Sequence, residues 1–341
     1  MQNNGNHNFI ARLCGALLVI LFSCMPILSR KHSAYQNVLD TAAKQSYSVN
    51  IPLVVRLSTS THPLVEDWLI YLNNYRALAG LPPVSENREW SAGGRFHARY
   101  SVKNDLLAHN EEQDNPWYTP EGLAASQTGN LMASSDVEAS DRYAVDAWMQ
   151  APFHAVGILD PYLIIVGFGS YREADGGLQM SATLDILRGL GEIPQAVRYP
   201  VMWPTNGATV PIGDHWGEYP DPLTSCPGYR SPSGLPVILQ VGSGNLAPVV
   251  GSHTFLQGKT PLDHCVFTES TYTNPDKAAQ ELGRAILDQR DAIVLISREP
   301  FIPGASYTVS IEVSGQTYSW SFKMEGTSRQ SEEGYREADI R

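Results

Sequence analysis

Two histidines in the first half of the chain lie among residues that could do chemistry. His109 precedes Asn110, Glu121 lies between a proline and a glycine, and His154 ends a run that begins at Trp148. Two imidazoles and one carboxylate can hold Zn²⁺ or another divalent cation and leave a position open for water. A histidine beside a glutamate can also act as a general acid and base. The alternative is that both imidazoles only hydrogen-bond to neighbouring loops.

Other chemical signatures are weak. The sequence has no Gly-x-Ser-x-Gly elbow, no His-Glu-x-x-His helix and no phosphate-binding loop. Residues 242–247 fit a relaxed dinucleotide fingerprint, but Pro248 follows directly and no helix is predicted there. His97 is predicted to lie on a helix face. The acidic residues that follow His109 are predicted to form a solvated loop: Glu111, Glu112 and Asp114.

The periodicity of residues 61–187 predicts helices followed by an antiparallel pair of strands, an α+β domain. Helices are predicted from Thr61 to Gly80, from Ser85 past Tyr100, and from Val137 to Trp148, and strands over 162–170 and 178–184. His109 follows the second helix and His154 follows the third. Because sites tend to collect in short loops past helix ends, we expect the two histidines to converge on one cleft.

Residues 188–198 are predicted to be a linker, and residues 199–325 a second domain of short strands. The clearest pair alternates apolar and polar residues on either side of Ser314-Gly315, over 307–313 and 318–324. Strands at this spacing predict a β-sandwich. Residues 326–341 are charged and predict a disordered tail.

The four cysteines divide between the two ends of the chain. Cys14 and Cys24 lie in an N-terminal apolar segment, and Cys226 and Cys265 lie in the second domain. If the segment is removed from an exported protein, the remaining pair predicts a disulfide. Two separate buried thiols are the alternative.

Composition and the N-terminus restrict the class of protein. The 341 residues carry a net charge of −11, which argues against nucleic acid as a partner. The apolar run from Cys14 to Leu28 predicts a signal peptide or membrane anchor over 1–28, followed by an N-terminal extension over 29–60. We therefore expect a secreted or cell-surface protein, attached through a lipid on Cys24, through a single N-terminal anchor, or not at all.

Several segments in one order resemble the CAP superfamily, which takes in cysteine-rich secretory, antigen 5 and plant pathogenesis-related proteins and many bacterial members. The resemblance covers about residues 65–187. It rests on Leu72–Arg76, Gly80–Val84, Leu107–Asn110, Pro120–Gly122, Trp148–His154, Gly157–Pro161 and Val166–Gly169.

The resemblance implies an α-β-α sandwich with a cleft, in which two histidines and two acids can bind a divalent metal. His109 and His154 match the histidines, and Glu121 matches the first acid loosely. Gln150 stands where the second acid is expected, and Ala155 replaces an arginine. The implied cleft is lined by His109, Glu121, Trp148, Gln150 and His154, with His109, His154 and Glu121 as metal ligands.

The second domain resembles bacterial immunoglobulin-like modules, chiefly at the strand entry Pro303–Val309. Three hypotheses follow. The first is an exported, non-enzymatic CAP protein that binds an extracellular lipid, glycan or protein and carries the sandwich as an accessory module. The second is a metal-dependent extracellular hydrolase, with a further carboxylate from Asp146, Glu111 or Glu112. The third makes both domains structural parts of the envelope.

Overall fold

The computed structural model describes residues 68–326 and 339–340. The contact pattern divides the chain between His62 and Pro63, and every described residue belongs to the second unit. The predicted leader (1–28), the predicted extension (29–60) and most of the predicted tail lie outside the described residues. None of the described helices is long and apolar enough to cross a membrane.

The described residues form six α-helices and sixteen strands. The helices are α1 (Trp68–Leu78), α2 (Arg88–Asn104), α3 (Pro120–Thr128), α4 (Asp141–Gln150), α5 (Pro152–Ile158) and α6 (Lys277–Asp288). The strands of the first half are β1 (Ser85–Glu86), β2 (Gly129–Ser134), β3 (Ile165–Arg172) and β4 (Met180–Asp185). Those that follow are β5 (Val201–Trp203), β6 (Thr209–Val210), β7 (Asp214–His215), β8 (Ser233–Gly234), β9 (Val237–Gln240), β10 (Val250–Gln257), β11 (Thr260–Pro261), β12 (His264–Phe267), β13 (Ala292–Ser297), β14 (Ser306–Val313), β15 (Gln316–Met324) and β16 (Asp339–Ile340).

The first sheet has the order β1-β3-β4-β2-β16, and β3 and β4 form the predicted antiparallel pair. Strand β2 was not predicted. Its last five residues are all buried, so it lacks the alternation of polar and apolar residues that marks a half-exposed strand. β16 pairs with β2, so this part of the tail differs from the predicted disorder.

Helices cover both faces of this sheet, and successive residues of β3 contact the helices on opposite faces. Phe168 stacks on Trp68 at 4.9 Å between ring centroids and meets Trp148 edge-on, so α1 and α4 lie on that face. Gly169 points the other way, where an added Cβ would lie 2.0 Å from the backbone nitrogen of Arg95 in α2. The alternation of Phe168 with glycine thus lets α2 approach the strand closely.

Arg76 is a buried cation that holds loops of the first half together. Its guanidinium donates to the carbonyls of Pro82 (2.9 Å), Ile158 (2.5 Å), Asp160 (3.2 Å) and Leu163 (3.2 Å). Burial lowers the pKa of Arg76 to about 10, so it stays charged at neutral pH. The sequence marks Arg76 only as part of the CAP resemblance, whereas the structure makes it a core hydrogen-bond donor.

The second half contains two larger sheets, one of order β11-β10-β14-β15-β6 and one of order β12-β13-β9-β5. The predicted hairpin is confirmed as β14 and β15, with Ser314 and Gly315 both in the left-handed region, as a two-residue hairpin turn requires. Helix α6 was not predicted. Residues 242–247, which fit the relaxed dinucleotide fingerprint, form a loop. Its backbone N–H groups at Gly244, Asn245 and Leu246 donate to the carboxylate of Asp291 and not to a nucleotide phosphate.

The two halves are packed against each other within one compact unit. Tyr75 meets Trp203 edge-on at 5.6 Å, the side-chain amide of Gln240 donates to the Leu159 carbonyl at 2.9 Å, and Arg290 forms an ion pair with Asp160 at 2.8 Å. Through the last two contacts, polar side chains of the second half are buried against polar groups of the first half.

The predicted disulfide between Cys226 and Cys265 is present in the structure. It joins the segment before β8 to strand β12 across a sequence separation of 39 residues. Replacing both cysteines with alanine should lower the free energy of unfolding by about 2–4 kcal/mol, since a crosslink of this span restricts the unfolded chain. Urea unfolding of the two proteins measures the difference. As a control, a reducing agent should destabilise the native protein and leave the double variant unchanged; equal stability of both would contradict the prediction.

Candidate functional site

His154 lies in the first turn of α5 and is bound to a carboxylate from the second half of the chain. Its Nδ1 atom is 2.7 Å from Oε2 of Glu218, and only 6% of the residue is exposed. Because a carboxylate only accepts hydrogen bonds, Nδ1 carries the hydrogen. In the neutral ring, Nε2 therefore holds the lone pair and can accept a proton or a hydrogen bond.

Glu218 also caps the helix that carries His154. Its carboxylate accepts the backbone N–H of Phe153 at 3.1 Å and that of His154 at 3.3 Å. The residue at the cap position of α5, Ala151, has no side chain that could do this, whereas Asn87, Thr119 and Ser140 cap α2, α3 and α4 locally. An anion at a helix N-terminus is favourable, so the fully buried Glu218 side chain is stabilised by three N–H donors and the helix dipole.

His109 is near enough to His154 to feel its charge. Its Nδ1 donates to the Ser126 carbonyl at 2.6 Å, and Ser126 Oγ donates back to the His109 carbonyl at 3.2 Å. Although part of His109 is exposed, burial of its ring lowers its pKa; the Ser126 hydrogen bond opposes this, and the charges of His154 and His97 add to the lowering. We call His97, His109 and His154 the histidine cluster.

His97 and Glu111 form a buried pair. His97 lies on helix α2, as predicted, whereas Glu111 was predicted to lie in a solvated loop. Nδ1 of His97 is 2.9 Å from Oε1 of Glu111, and both side chains are fully buried. Oε2 of Glu111 accepts the backbone N–H of Thr119 at 3.0 Å. An added Cβ on Gly122 would lie 2.5 Å from Oε1 of Glu111, so this position needs glycine. Glu111 is thus an internal anchor for the loop after His109, where a solvated acidic loop was predicted.

Three residues predicted to line the cleft have other surroundings. Trp148 is completely buried, and its indole N–H donates to the Leu131 carbonyl at 3.1 Å, so it is a core residue. Gln150 is buried and donates to Oδ1 of Asp214 at 2.6 Å. Glu121 is exposed in the first turn of α3. Of the predicted set, His109 and His154 are near enough for the charge of His154 to lower the pKa of His109.

The residues that sequence reasoning missed come from one segment, 214–218. Asp214 accepts from Gln150, His215 Nδ1 donates to the Gln150 carbonyl at 2.9 Å, and Glu218 binds the start of α5. The segment therefore clamps the junction of α4 and α5. Glu218 is 64 residues from His154, so local spacing gave no signal for it. The five-residue run from Asp214 to Glu218, which mixes acids, a histidine and a tryptophan, was the available hint.

The side chains do not fit the metal site that the CAP resemblance implies. Within the part of the chain that the structure describes, no group of three or more His, Cys, Asp or Glu side chains could hold a metal ion. His109, His154 and Glu121 therefore do not form the predicted ligand set. The carboxylates nearest the cluster, Glu111 and Glu218, are already engaged by His97, His154 and backbone N–H groups.

Residues 69–182 match the model of the CAP family, the cysteine-rich secretory protein family. The matched segment runs from α1 into β4 and includes His97, His109 and His154. The resemblance seen in the sequence is therefore confirmed for this segment, which is similar to a CAP domain. No curated protein matches the chain.

The contact between Gln150 and Asp214 reverses one expectation from the sequence. Restoring an acid with Gln150→Glu looks like a repair of the metal site, but it would place two carboxylates together in a buried position. We expect this variant to lose about 1–3 kcal/mol of unfolding free energy, the range for a buried polar group left without a suitable partner. Chemical unfolding at neutral pH measures the loss.

A second substitution serves as the matched control. Asp214→Asn in the Gln150→Glu background restores one donor and one acceptor across the contact, and should recover most of the stability. If Gln150→Glu is as stable as the native protein and binds Zn²⁺ more tightly by calorimetry, the structural account of Gln150 is wrong.

The lowered pKa of His109 predicts a pH dependence of stability. The unfolded chain has the ordinary histidine value of about 6.5, so below that pH it binds more protons than the folded chain. His109 should therefore reduce stability progressively as the pH falls through about 6.5 towards the lower folded value. His109→Asn, whose amide can still donate to Ser126, should lose less stability than the native protein between about pH 7.5 and 5.5. Identical losses in urea unfolding would contradict this.

Proposed function

We propose that this chain is an exported bacterial CAP-domain protein, secreted or held at the cell surface, that binds an extracellular ligand at the histidine cluster without chemical turnover. The ligand class is a lipid, a glycan or a protein with hydrogen-bond donors. The N-terminal apolar segment supports export, and so does the Cys226–Cys265 disulfide, because such bonds persist in oxidising compartments.

One observation carries the binding proposal. His109 and His154 each donate from Nδ1 to a fixed protein acceptor, the Ser126 carbonyl and the Glu218 carboxylate. Among residues 68–326, neither Nε2 atom makes a hydrogen bond. The lowered pKa of His109 keeps that ring neutral at pH 7. Two neighbouring imidazoles of fixed orientation thus offer acceptor nitrogens to hydroxyl or amide donors of a ligand.

The competing hypothesis, a metal-dependent hydrolase, has less support. It needs a further carboxylate near both histidines, and the candidates are engaged elsewhere. Glu111 binds His97 and Thr119, and Asp146 accepts hydrogen bonds from Tyr71 and Tyr75. Glu112 is exposed on the loop. The donor set therefore favours recognition over metal-assisted hydrolysis.

The second half of the chain belongs to the proposal as an immunoglobulin-like accessory module. Its five-stranded and four-stranded sheets support this, and aromatic contacts such as Phe255 with His264 join β10 of one sheet to β12 of the other, although helix α6 is an addition to a pure sandwich. Its β7–β8 region also supplies Glu218 to His154. The module thus contributes to the site as well as to the attachment of the CAP domain.

The proposal is tested by following the imidazole nitrogens of the mature protein. With ¹⁵N-labelled histidine, we expect Nε2 signals of His109 and His154 to shift on titration with one of two probes, phospholipid vesicles or a tetramer of N-acetylglucosamine. The double variant His109→Ala, His154→Ala should weaken that binding about tenfold, since each lost hydrogen bond contributes about 0.5–1.5 kcal/mol. His253→Ala, an exposed histidine on β10, is the control and should bind normally.

Three results would contradict the proposal. They are unshifted histidine signals with both probes, equal affinity of the double variant, and release of cleavage products from the saccharide or lipid. Mass spectrometry of the protein from its own cells tests export separately, because an intact N-terminus at Met1 in a cytosolic fraction is incompatible with it.

A further inference from the structure

Two histidines of the second half, His253 and His264, lie side by side outside the histidine cluster. Nδ1 of His253 is 2.8 Å from Nε2 of His264, and the ring centroids are 4.9 Å apart. His253 lies on β10 and His264 on β12, so the contact connects the five-stranded sheet to the four-stranded sheet. We call these two residues the β10–β12 histidine pair.

The register of a hairpin brings the pair together. After the turn between β10 and β11, the backbone N–H of Leu262 donates to the Phe255 carbonyl at 2.8 Å. Two residues further along each arm, His253 lies opposite His264. Because every second residue of a strand faces the same side, the two imidazoles lie on the face that carries Phe255, beyond its buried ring.

His264 is held in one orientation. Its Nδ1 donates to the Leu262 carbonyl at 2.8 Å, so in the neutral ring the lone pair is on Nε2, the atom that faces His253. Phe255 meets the ring edge-on at 5.8 Å between centroids. The next residue, Cys265, is held in the disulfide. A metal-ligating histidine is typically fixed in this way by a hydrogen bond from its other nitrogen.

His253 is the accessible member of the pair. The residue is exposed, and within residues 68–326 its Nε2 makes no hydrogen bond. Its Nδ1–H donates to Nε2 of His264. When the hydrogen is instead on Nε2, both facing nitrogens carry a lone pair. Burial and then the charge of His264 lower the pKa of His253, so the ring is neutral at pH 7.

We infer that the β10–β12 histidine pair binds a divalent transition-metal ion, with Cu²⁺ preferred. Two nitrogens about 2.1 Å from one ion lie about 3.0 Å apart at a right angle and about 3.4 Å apart at the tetrahedral angle. The 2.8 Å separation is nearer to the right angle, the geometry of tetragonal Cu²⁺ and Ni²⁺ and not of tetrahedral Zn²⁺. Rotation of the exposed His253 ring directs its lone pair to the ion, and Cu²⁺ binds imidazole most tightly of these three.

Water completes the coordination, since the described residues form no group of three or more His, Cys, Asp or Glu side chains that could hold an ion. Two imidazoles also select against Ca²⁺ and Mg²⁺, which prefer oxygen ligands. The neighbouring charges do not oppose a cation, because Asp263, next to His264, pairs with Arg298 at 3.4 Å. The net charge of −11 attracts cations to the chain as a whole.

The test is calorimetric titration of the full mature chain with Cu²⁺, Ni²⁺ and Zn²⁺ at neutral pH. We expect Cu²⁺ to bind most tightly, and His253→Ala and His264→Ala each to weaken its binding at least tenfold, because a chelate becomes a single ligand. Thr254→Ala removes the next exposed side chain of β10, on the opposite face of the strand, and should bind Cu²⁺ like the native protein.

Electron paramagnetic resonance of the Cu²⁺ complex counts the nitrogen ligands independently of affinity. We expect two imidazole nitrogens in the native protein and one in His253→Ala. Thermal unfolding shows whether each variant is folded, and the exposed His253 keeps the test decisive if His264→Ala is not.

Three results would overturn the inference. They are Cu²⁺ binding by His253→Ala as tight as that of the native protein, which would indicate adventitious binding elsewhere, a native spectrum with a single imidazole, and tighter binding of Zn²⁺ than of Cu²⁺. The double variant His109→Ala, His154→Ala retains the pair and should bind Cu²⁺ normally. Loss of the ion in that variant and its retention in His253→Ala would assign the ion to the histidine cluster instead.

Discussion

The arrangement of the candidate site depends on one buried carboxylate. Glu218 comes from the second half of the chain and lies against the first turn of α5, where it accepts from Phe153 N–H, His154 N–H and His154 Nδ1. Withdrawing a carboxylate from water is unfavourable by several kcal/mol unless donors replace the water. Three donors and the positive end of a helix replace it at this position. The same contact fixes the tautomer of His154 and joins the two halves.

The opposite end of α5 is held by a charge of the opposite sign. Arg76 donates to the carbonyl of Ile158, the last residue of the helix, and to that of Asp160 just beyond it. An anion at the N-terminus and a cation at the C-terminus both complement the helix dipole. A seven-residue helix is too short to be stable by itself in water. These two buried charges, with the packing of its fully buried side chains, therefore position the helix and His154 with it.

The elements that the sequence predicts well are those whose signals are local. The helix around Trp68–Leu78 ends near Gly80, which adopts the left-handed conformation that stops a helix, and the β14–β15 hairpin follows its turn residues. Strand β2 was not predicted because it is buried on both faces and so lacks the alternation of polar and apolar residues. The role of Glu218 was not predicted because its partner, His154, is 64 residues away in the sequence. Glu111 was misjudged because an acidic run usually marks solvent, whereas the packing of His97 and Gly122 makes one of its members internal.

Glu111 and Glu218, the acids beside the histidine cluster, hold other groups of the protein in place. A carboxylate that ligates a metal needs lone pairs directed to the ion, and its own second contacts serve only to orient it. In this chain Glu111 directs one oxygen to His97 and the other to the Thr119 amide, while Glu218 directs both to the start of α5. Each acid holds a histidine or a helix in place, and both of its oxygens accept hydrogen bonds from the protein. The imidazoles of His109 and His154 are thereby held in fixed orientations, as the proposed binding role requires.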